Sequence, residues 1–441
     1  MTAIGRVLIV EQSASVAPLL PLLSEQGLSP VVSNVRDMSP DKVRRSYADV
    51  ILVGDTADSQ DVIRFVQALK NDSFTRDIPV IAVDPGKAAD LPARFIRAGF
   101  DDVISPPVTT VGMMARLRSL LRMSTLRTEL LRRRDTLERF MIDVPAASLG
   151  VIGVDNARLL SVGRALSKEM ANGLRKGLSV DQVGDAATAL TRLTDGNYDA
   201  TVVFVDAVGL DDALILCADI RANSSLFNLP VILVLDADSA DAVPRAYGQR
   251  ASDVLLAPVR PEDLRNRVVT WVRQQRYRQR LFEASHKSND KVTVDGLTGL
   301  YSHGFARDYL NDLIEYSAAR GTTFSVAYFD LPRLPEINRL AGYCAGEHLL
   351  RQVGQMLGNM VRAEDLAGRY RGKEFCVILP QTALRPAQIV VDRIIGVISS
   401  TEFLVTGGYS VLTIAMAAGL AEYTPGDSSD TLIRRARAAM R

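Results

Sequence analysis

The strongest constraint on this chain is a repeated pattern. Short runs rich in Val, Ile and Leu alternate with longer amphipathic stretches, and the whole order then recurs. Residues 6–10, 49–53, 79–83 and 101–105 form the first set of runs, and residues 150–154, 201–205, 230–235 and 253–256 form the second, with Pro-Val-Ile opening the third run of each. Uninterrupted apolar runs of this length read as strands buried on both faces, which requires a parallel sheet covered by helices on both sides. Recurrence of the order points to two tandem copies of one doubly wound α/β domain.

Each copy also ends alike, in Asp102-Val-Ile-Ser-Pro-Pro-Val108 and Asp253-Val-Leu-Leu-Ala-Pro-Val259. A charged helical pattern rich in Arg and Leu follows each ending, over residues 111–141 and 261–285. Both patterns look continuous, so each can act as a stiff connector, either as a solvated spacer or as a dimerisation and signalling helix.

At 441 residues the chain exceeds one ordinary core, and domains of roughly 100 to 200 residues imply about three. We expect boundaries at 1–140, 141–285 and 286–441. After the polar stretch 286–291, residues 324–329 and 374–379 read as strands followed by helix, with a later strand candidate at 411–417. The third domain is therefore α+β or α/β in its own right.

The 52 Lys and Arg are balanced by 51 Asp and Glu, so bulk charge draws the chain to neither nucleic acid nor anionic lipid. Cys217, Cys344 and Cys376 show no metal-ligand spacing, and neither do the three histidines. A reducing cytosol and no structural metal are expected. The opening apolar run is far shorter than the roughly 18 residues a spanning helix needs, and it lacks signal-peptide organisation.

The two repeated domains resemble receiver domains of response regulators, which are flavodoxin-like. That resemblance implies an acidic Mg²⁺ cluster, an acceptor aspartate, a hydroxyl residue after strand four and a lysine after strand five. In the first copy Glu11 and Gln12 stand for the acid pair, Asp55 is the candidate phosphoacceptor, Asp84 stands near the hydroxyl position and Pro106 near the lysine. A negative charge where a positive one is needed disfavours an aspartyl phosphate, and Asp55 can equally be an ordinary loop aspartate. The second copy keeps Asp155 after its predicted first strand and Asp206 near the end of the third, with Ala257 in the lysine's place. Packing and dimerisation fit both copies better than phosphotransfer.

The run Asp295-Gly-Leu-Thr-Gly-Leu-Tyr301 resembles the opening of GGDEF domains, which make cyclic di-GMP from two GTP. Phe329-Asp330, Glu336-Ile337-Asn338 and residues 342–350 follow the family's metal-and-guanine segment, and Arg371-Gly-Lys-Glu-Phe375 stands at its signature hairpin. The resemblance implies a nucleotide-cyclase-like α+β domain and, with the receivers, the architecture of PleD-type response regulators. It implies also that synthesis is lost. Lys373 replaces a metal-binding carboxylate, and an ammonium group supplies no anionic ligand for Mg²⁺ beside a triphosphate. Arg371 replaces the glycine that lets backbone approach the nucleotide. Pro332, Pro335 and Glu347 depart from an Asp, a phosphate-facing Lys and a guanine-reading Asp, and proline removes backbone donors. The sequence ends at Arg441, where active members continue into a segment with further phosphate-binding residues.

What the resemblance leaves in place is the Arg-x-x-Asp motif of the family's inhibitory site, Arg362-Ala-Glu-Asp365, five residues before the hairpin. An arginine fork can donate to guanine O6 and N7, and an aspartate can accept from guanine N1 and N2. Arg393 stands where many members place a further ligand-binding arginine, while Arg175 and Arg320 are candidate cross-domain or cross-subunit contacts. Arg362 and Asp365 could alternatively form an i,i+3 surface ion pair worth a few tenths of a kcal/mol. Tyr343, Cys344 and His348 are read as non-ligating, with Cys344 and His348 on a helix facing the core, and Cys376 is read as core.

The expected function is a cyclic di-GMP-binding effector or adaptor with no catalytic residues and no required metal, cytoplasmic and homodimeric. The resemblance further implies recruitment at a cell pole of factors that present cell-cycle regulators to a protease. Two other readings stay open: a weak or conditional diguanylate cyclase, and a phosphorylation-driven receiver scaffold that binds no nucleotide.

Overall fold

The computed structural model describes residues 5–11, 19–25, 27–54, 60–72, 74–83, 94–95, 98–104, 110–140, 153–175, 177–223, 226, 228–287, 293–405 and 410–440. Its first sheet holds β1 (Gly5–Val10), β2 (Leu28–Ser33), β3 (Val50–Val53), β4 (Val80–Val83) and β5 (Asp102–Ile104), all parallel, in the order β2-β1-β3-β4-β5. The second holds β6 (Ala157–Val162), β7 (Leu178–Val183), β8 (Ala200–Phe204), β9 (Val231–Leu235) and β10 (Asp253–Leu256), and repeats that order. Order 2-1-3-4-5 with helices on both faces is the flavodoxin-like arrangement expected of receivers. Side chains alternate as a two-residue period demands: Val7 and Ile9 enter one core, Leu8 and Val10 the other.

One expected strand lies elsewhere. The second copy begins at Ala157–Val162, not at 150–154, of which 150–152 lie outside the described residues. Ala-Arg-Leu-Leu-Ser-Val conceals its strand character because Arg158 carries a charge, but that side chain reaches sideways to Asp181 on β7, 2.9 Å away, and lies over the Tyr198 ring. Asp155 consequently precedes the first strand instead of following it. Strands β2 and β7 show no clear apolar run, since each lies at a sheet edge and is only partly buried.

The third sheet is antiparallel, order β12-β13-β11-β16, built from β11 (Phe324–Asp330), β12 (Leu366–Arg371), β13 (Glu374–Pro380) and β16 (Ala417–Glu422). A separate ribbon pairs β14 (Phe403–Val405) with β15 (Ser410–Leu412). The single strand expected at 411–417 thus divides into the end of a hairpin and the start of β16. Helices His303–Arg320 and Ser429–Ala438 cover one face of the sheet. Helices Leu334–Ala341, Tyr343–Met360 and Leu384–Ser400 cover the other, giving an α+β domain. Cys376 is buried in this core as expected. Cys344 is not: it lies exposed in the first turn of Tyr343–Met360, beside Tyr343, which is 80% exposed, while His348 is half-buried.

The connector helices are Thr110–Arg139 and Pro261–Lys287. The first is no solvated spacer. Leu117, Leu120, Leu121, Leu126 and Leu130 fill the first sheet's core together with Tyr277 of the second connector, and Leu137 enters the core of the third domain. Polar bonds join the same bodies: Thr125 to Gln381 at 2.6 Å, Thr136 to Asp312 at 2.8 Å, and Arg6 to the Arg320 carbonyl at 2.5 Å. The Arg320 guanidinium lies over Tyr316 and over Tyr47 of the first receiver, so this residue does make the cross-domain contact expected of it. Arg175 caps helix Lys168–Leu174 on the second receiver and is exposed. Among the described residues no helix is long and apolar enough to cross a membrane.

Candidate functional site

Two neighbouring parts of the third domain carry the sequence-predicted chemistry. The first is the β12–β13 hairpin. Its turn passes through Gly372 at φ +45°, a left-handed conformation that suits glycine, and the Gly372 carbonyl accepts from Arg369 at 2.9 Å. Register places Asp330, at the end of β11, opposite Glu374. Lys373 reaches across to Asp330, Nζ to Oδ2 3.1 Å, while Asp330 Oδ1 is buried without a partner. An internal ammonium group therefore neutralises the carboxylate at the position where the resemblance expects a metal ion.

Glu374 is likewise engaged within the chain. It accepts from the Tyr328 hydroxyl at 2.8 Å and pairs with Arg437 at 3.0 Å. Burial, with the Glu374 carboxylate beside it, pushes the Tyr328 phenol above its ordinary value. Asn338 fits under Tyr343–Met360 because Gly346 has no side chain: a Cβ there would lie 1.8 Å from Asn338 Oδ1. Pro335 sits in the first turn of Leu334–Ala341, where a missing N–H is tolerated. Arg371 and Glu347 are exposed. Asp295, from the Asp-Gly-Leu-Thr motif, holds its own loop together, since it accepts from Thr298 N and Oγ1 at 2.9 and 2.7 Å and from Arg369 at 3.1 Å. Burial raises its pKa, but these bonds outweigh burial and hold it below the ordinary value.

The second part is the turn Arg362–Asp365, leading into β12. It is a four-residue turn closed twice: the Asp365 amide donates to the Arg362 carbonyl at 3.1 Å, and Asp365 Oδ2 accepts back from the Arg362 amide at 2.9 Å. Asp365 is thus no member of a surface ion pair: it is 5% exposed, whereas Arg362 is exposed. Arg393, on Leu384–Ser400, donates to the Met360 carbonyl at 2.6 Å, which brings it beside the same turn. Burial, then the charge of Glu364, push Asp365 up to about 7, and its Oδ1 is without a hydrogen-bond partner. For Glu364 burial opposes ionisation, but the Arg122 guanidinium holds it below its ordinary value.

Sequence reasoning missed the residues that press on this turn. Arg133 of the first connector donates to the Ala363 and Asp365 carbonyls at 2.8 and 2.7 Å, and Arg122 lies 3.5 Å from Glu364. Arg278 of the second connector lies half-buried nearby, held well down, to about 9, by burial and by the adjacent Arg122. Arginines on a connector helix ordinarily read as a solvated face, so only their density offered a signal.

In the receivers, Asp55, Asp84 and Pro106 lie outside the described residues, and Glu11 is buried. Asp206 follows β8 and pairs at 2.7 Å with Arg164, which follows β6 at the place of the first-strand acid pair. Among the described residues no group of three or more His, Cys, Asp or Glu side chains could hold a metal ion.

Residues 292–441 match the family described as diguanylate cyclase, GGDEF domain. The response regulator PleD of Caulobacter vibrioides is 28% identical over 393 residues, covering 89% of this chain and 86% of that protein. The probable diguanylate cyclase DgcE of Escherichia coli is 28% identical over 130 residues, 30% of this chain and 11% of that protein. Among solved structures, the GGDEF domain of DgcB from Caulobacter crescentus in complex with c-di-GMP is 28% identical, covers 33% of this chain and 86% of that one, and has a TM-score of 0.33. Two flavodoxin-like sheets followed by the matched segment make the chain a homologue of PleD-like response regulators that carries a GGDEF domain.

Proposed function

We propose that this protein is a cyclic di-GMP-binding effector whose GGDEF domain does not synthesise the dinucleotide. The observation that carries this reading is the Lys373–Asp330 pair at 3.1 Å. A Mg²⁺ ion recruited by Asp330 would have to displace a tethered cation that is already in place, and would meet its positive charge at close range. Glu374, engaged by Tyr328 and Arg437, is a poor substitute ligand.

For binding, Arg362, Asp365 and Arg393 form the site. Arg362 offers its fork to guanine or phosphate, Asp365 accepts from the guanine edge, and Arg393 adds charge. Ligand engagement then favours one arrangement of receivers and GGDEF domain over another, a population shift that needs no catalysis. The division is 1–140 and 141–285 for the receivers with their connectors and 286–441 for the GGDEF domain. The output is recruitment of protein partners by a cytoplasmic homodimer. Resemblance to the degenerate paralogue PopA points to a cell pole and to factors that present cell-cycle regulators to a protease.

Chromatographic assay of cyclic di-GMP after incubation with GTP and Mg²⁺ tests the claim. No product is expected from the natural protein or from Lys373→Glu. The cyclase family match supports a second reading, a conditional diguanylate cyclase. That reading requires turnover by the natural protein, raised by Lys373→Glu.

A further inference from the structure

The turn proposed to read the ligand is held by the first connector as well as by its own domain. Arg133 donates two hydrogen bonds from one nitrogen to the Ala363 and Asp365 carbonyls, at 2.8 and 2.7 Å. Arg122, eleven positions earlier on the same helix and hence three turns away on the same side, stands 3.5 Å from Glu364. Ala363 packs against the core that Leu120, Leu126 and Leu130 share with the first sheet. As a result Glu364 and Asp365 are each only 5% exposed, although they are adjacent carboxylates in a surface turn.

In this arrangement Arg362 faces solvent while its partner Asp365 does not. A guanine edge approaching Arg362 could not reach both motif residues. The docked state is also incompletely satisfied: Asp365 Oδ1 and Arg122 Nε are buried without hydrogen-bond partners. Such an interface closes the turn without making closure irreversible, because opening it returns those groups to water or to a ligand.

We propose that the Arg362–Asp365 turn is a latch on the first connector helix, held shut by Arg133 and Arg122, and that a guanine-bearing cyclic dinucleotide can engage it fully only when the connector lets go. This rests on the ligand reading proposed for the same turn. Binding and release of the connector are then the same event: the ligand takes Asp365, Glu364 loses its pairing with Arg122, and the helix that fills the first receiver's core is freed from the GGDEF domain. Ligand occupancy at one end of the molecule is thereby converted into receiver position at the other, and the coupling is reciprocal. The apparent affinity is reduced by the fraction of molecules in which the latch is closed.

The test uses the full-length protein, titrated with cyclic di-GMP, in its natural form and as Arg133→Met, Arg122→Met and Arg362→Ala, with amide hydrogen exchange of residues 361–366 read in parallel. Arg122 lies at the edge of the contact, with 39% of its side chain exposed, so its variant preserves folding if Arg133→Met does not. Both latch variants should bind about tenfold more tightly, as expected when a closed majority is released, and should exchange faster across the turn without ligand. Ligand should raise exchange in the connector of the natural protein. Binding lost in Arg362→Ala but unchanged in both latch variants, with unchanged exchange, overturns the latch and leaves the ligand reading standing. No binding by any form, including Arg133→Met, overturns the ligand reading and the latch with it.

Discussion

Asp330 and Asp365 belong to one small domain and have opposite surroundings. Asp330 has a cation of its own chain bonded to it, Lys373 at 3.1 Å, and the contact lies at the mouth of the hairpin. Asp365 is buried against another carboxylate, its own carboxylate bonds only to the Arg362 amide, and it is pushed up to about 7. On the proposed function, the contrast separates a site without synthesis from a restrained one. At the hairpin a tethered ammonium group already pairs with Asp330 inside one small domain, a contact that does not depend on how the domains are arranged. At the turn the carboxylate is costly where it stands, and moving the connector helix would relieve it. Asp206 resembles Asp330 in this respect, since Arg164 takes the place where a receiver gathers acids for Mg²⁺.

The largest expected effect breaks the Asp365 side of the comparison. Its folded pKa lies above the ordinary carboxylate value of 3.8, so between about 4 and about 7 the folded state holds the proton more tightly than the unfolded chain. Stability contributed by this group therefore falls as pH rises through that window. Asp365→Asn has no charge to lose, so its stability should gain on that of the natural protein between pH 5 and pH 8, by an amount on the order of a few kcal/mol, read as a difference in melting temperature. Glu364, held below its ordinary value of 4.5, is ionised in both states across the pH 5 to pH 8 comparison and does not reverse the sign. A difference that is the same at both pH values would show that Asp365 is ionised at no cost.

Next in size is Lys373→Glu. It places a second carboxylate against Asp330, and loss of the pair should cost about 1–3 kcal/mol, seen as a melting temperature lowered by several degrees. Added Mg²⁺ should recover part of it by filling the gap, while no cyclic di-GMP forms. Insensitivity to Mg²⁺ would mean that Asp330 lacks the geometry of a cation site. The smallest effect is expected from Arg164→Ala. With Arg164 about half exposed, the lost pair with Asp206 should cost roughly 0.2–1 kcal/mol in denaturant titration, and a larger loss would make the second receiver's acid pocket a structural element.

The sheets of the receivers were legible because fully buried strands, such as Val50–Val53 and Val231–Leu235, can be built from little besides Val, Ile and Leu. Edge strands were not, since β2 and β7 mix polar residues in, and β6 hides Arg158 behind a cross-strand ion pair. The hairpin, the Arg-x-x-Asp motif and the substitution at Lys373 were found through the resemblance to GGDEF domains, whose motif spacing this sequence keeps. What spacing could not convey is which surface covers a motif. Asp365 read as a ligand-binding residue or as one half of a surface ion pair with Arg362, and only the fold brings Arg133, more than two hundred residues earlier, onto its carbonyl. A conformation-dependent contact between distant segments leaves no local pattern.

Calorimetric titration of the full-length protein with cyclic di-GMP, set against Arg362→Ala, tests the central claim most directly. Saturable binding by the natural protein, weakened about a hundredfold by loss of a charged bidentate contact, is the expected result. Absence of binding by the natural protein, or equal binding by Arg362→Ala, would contradict it.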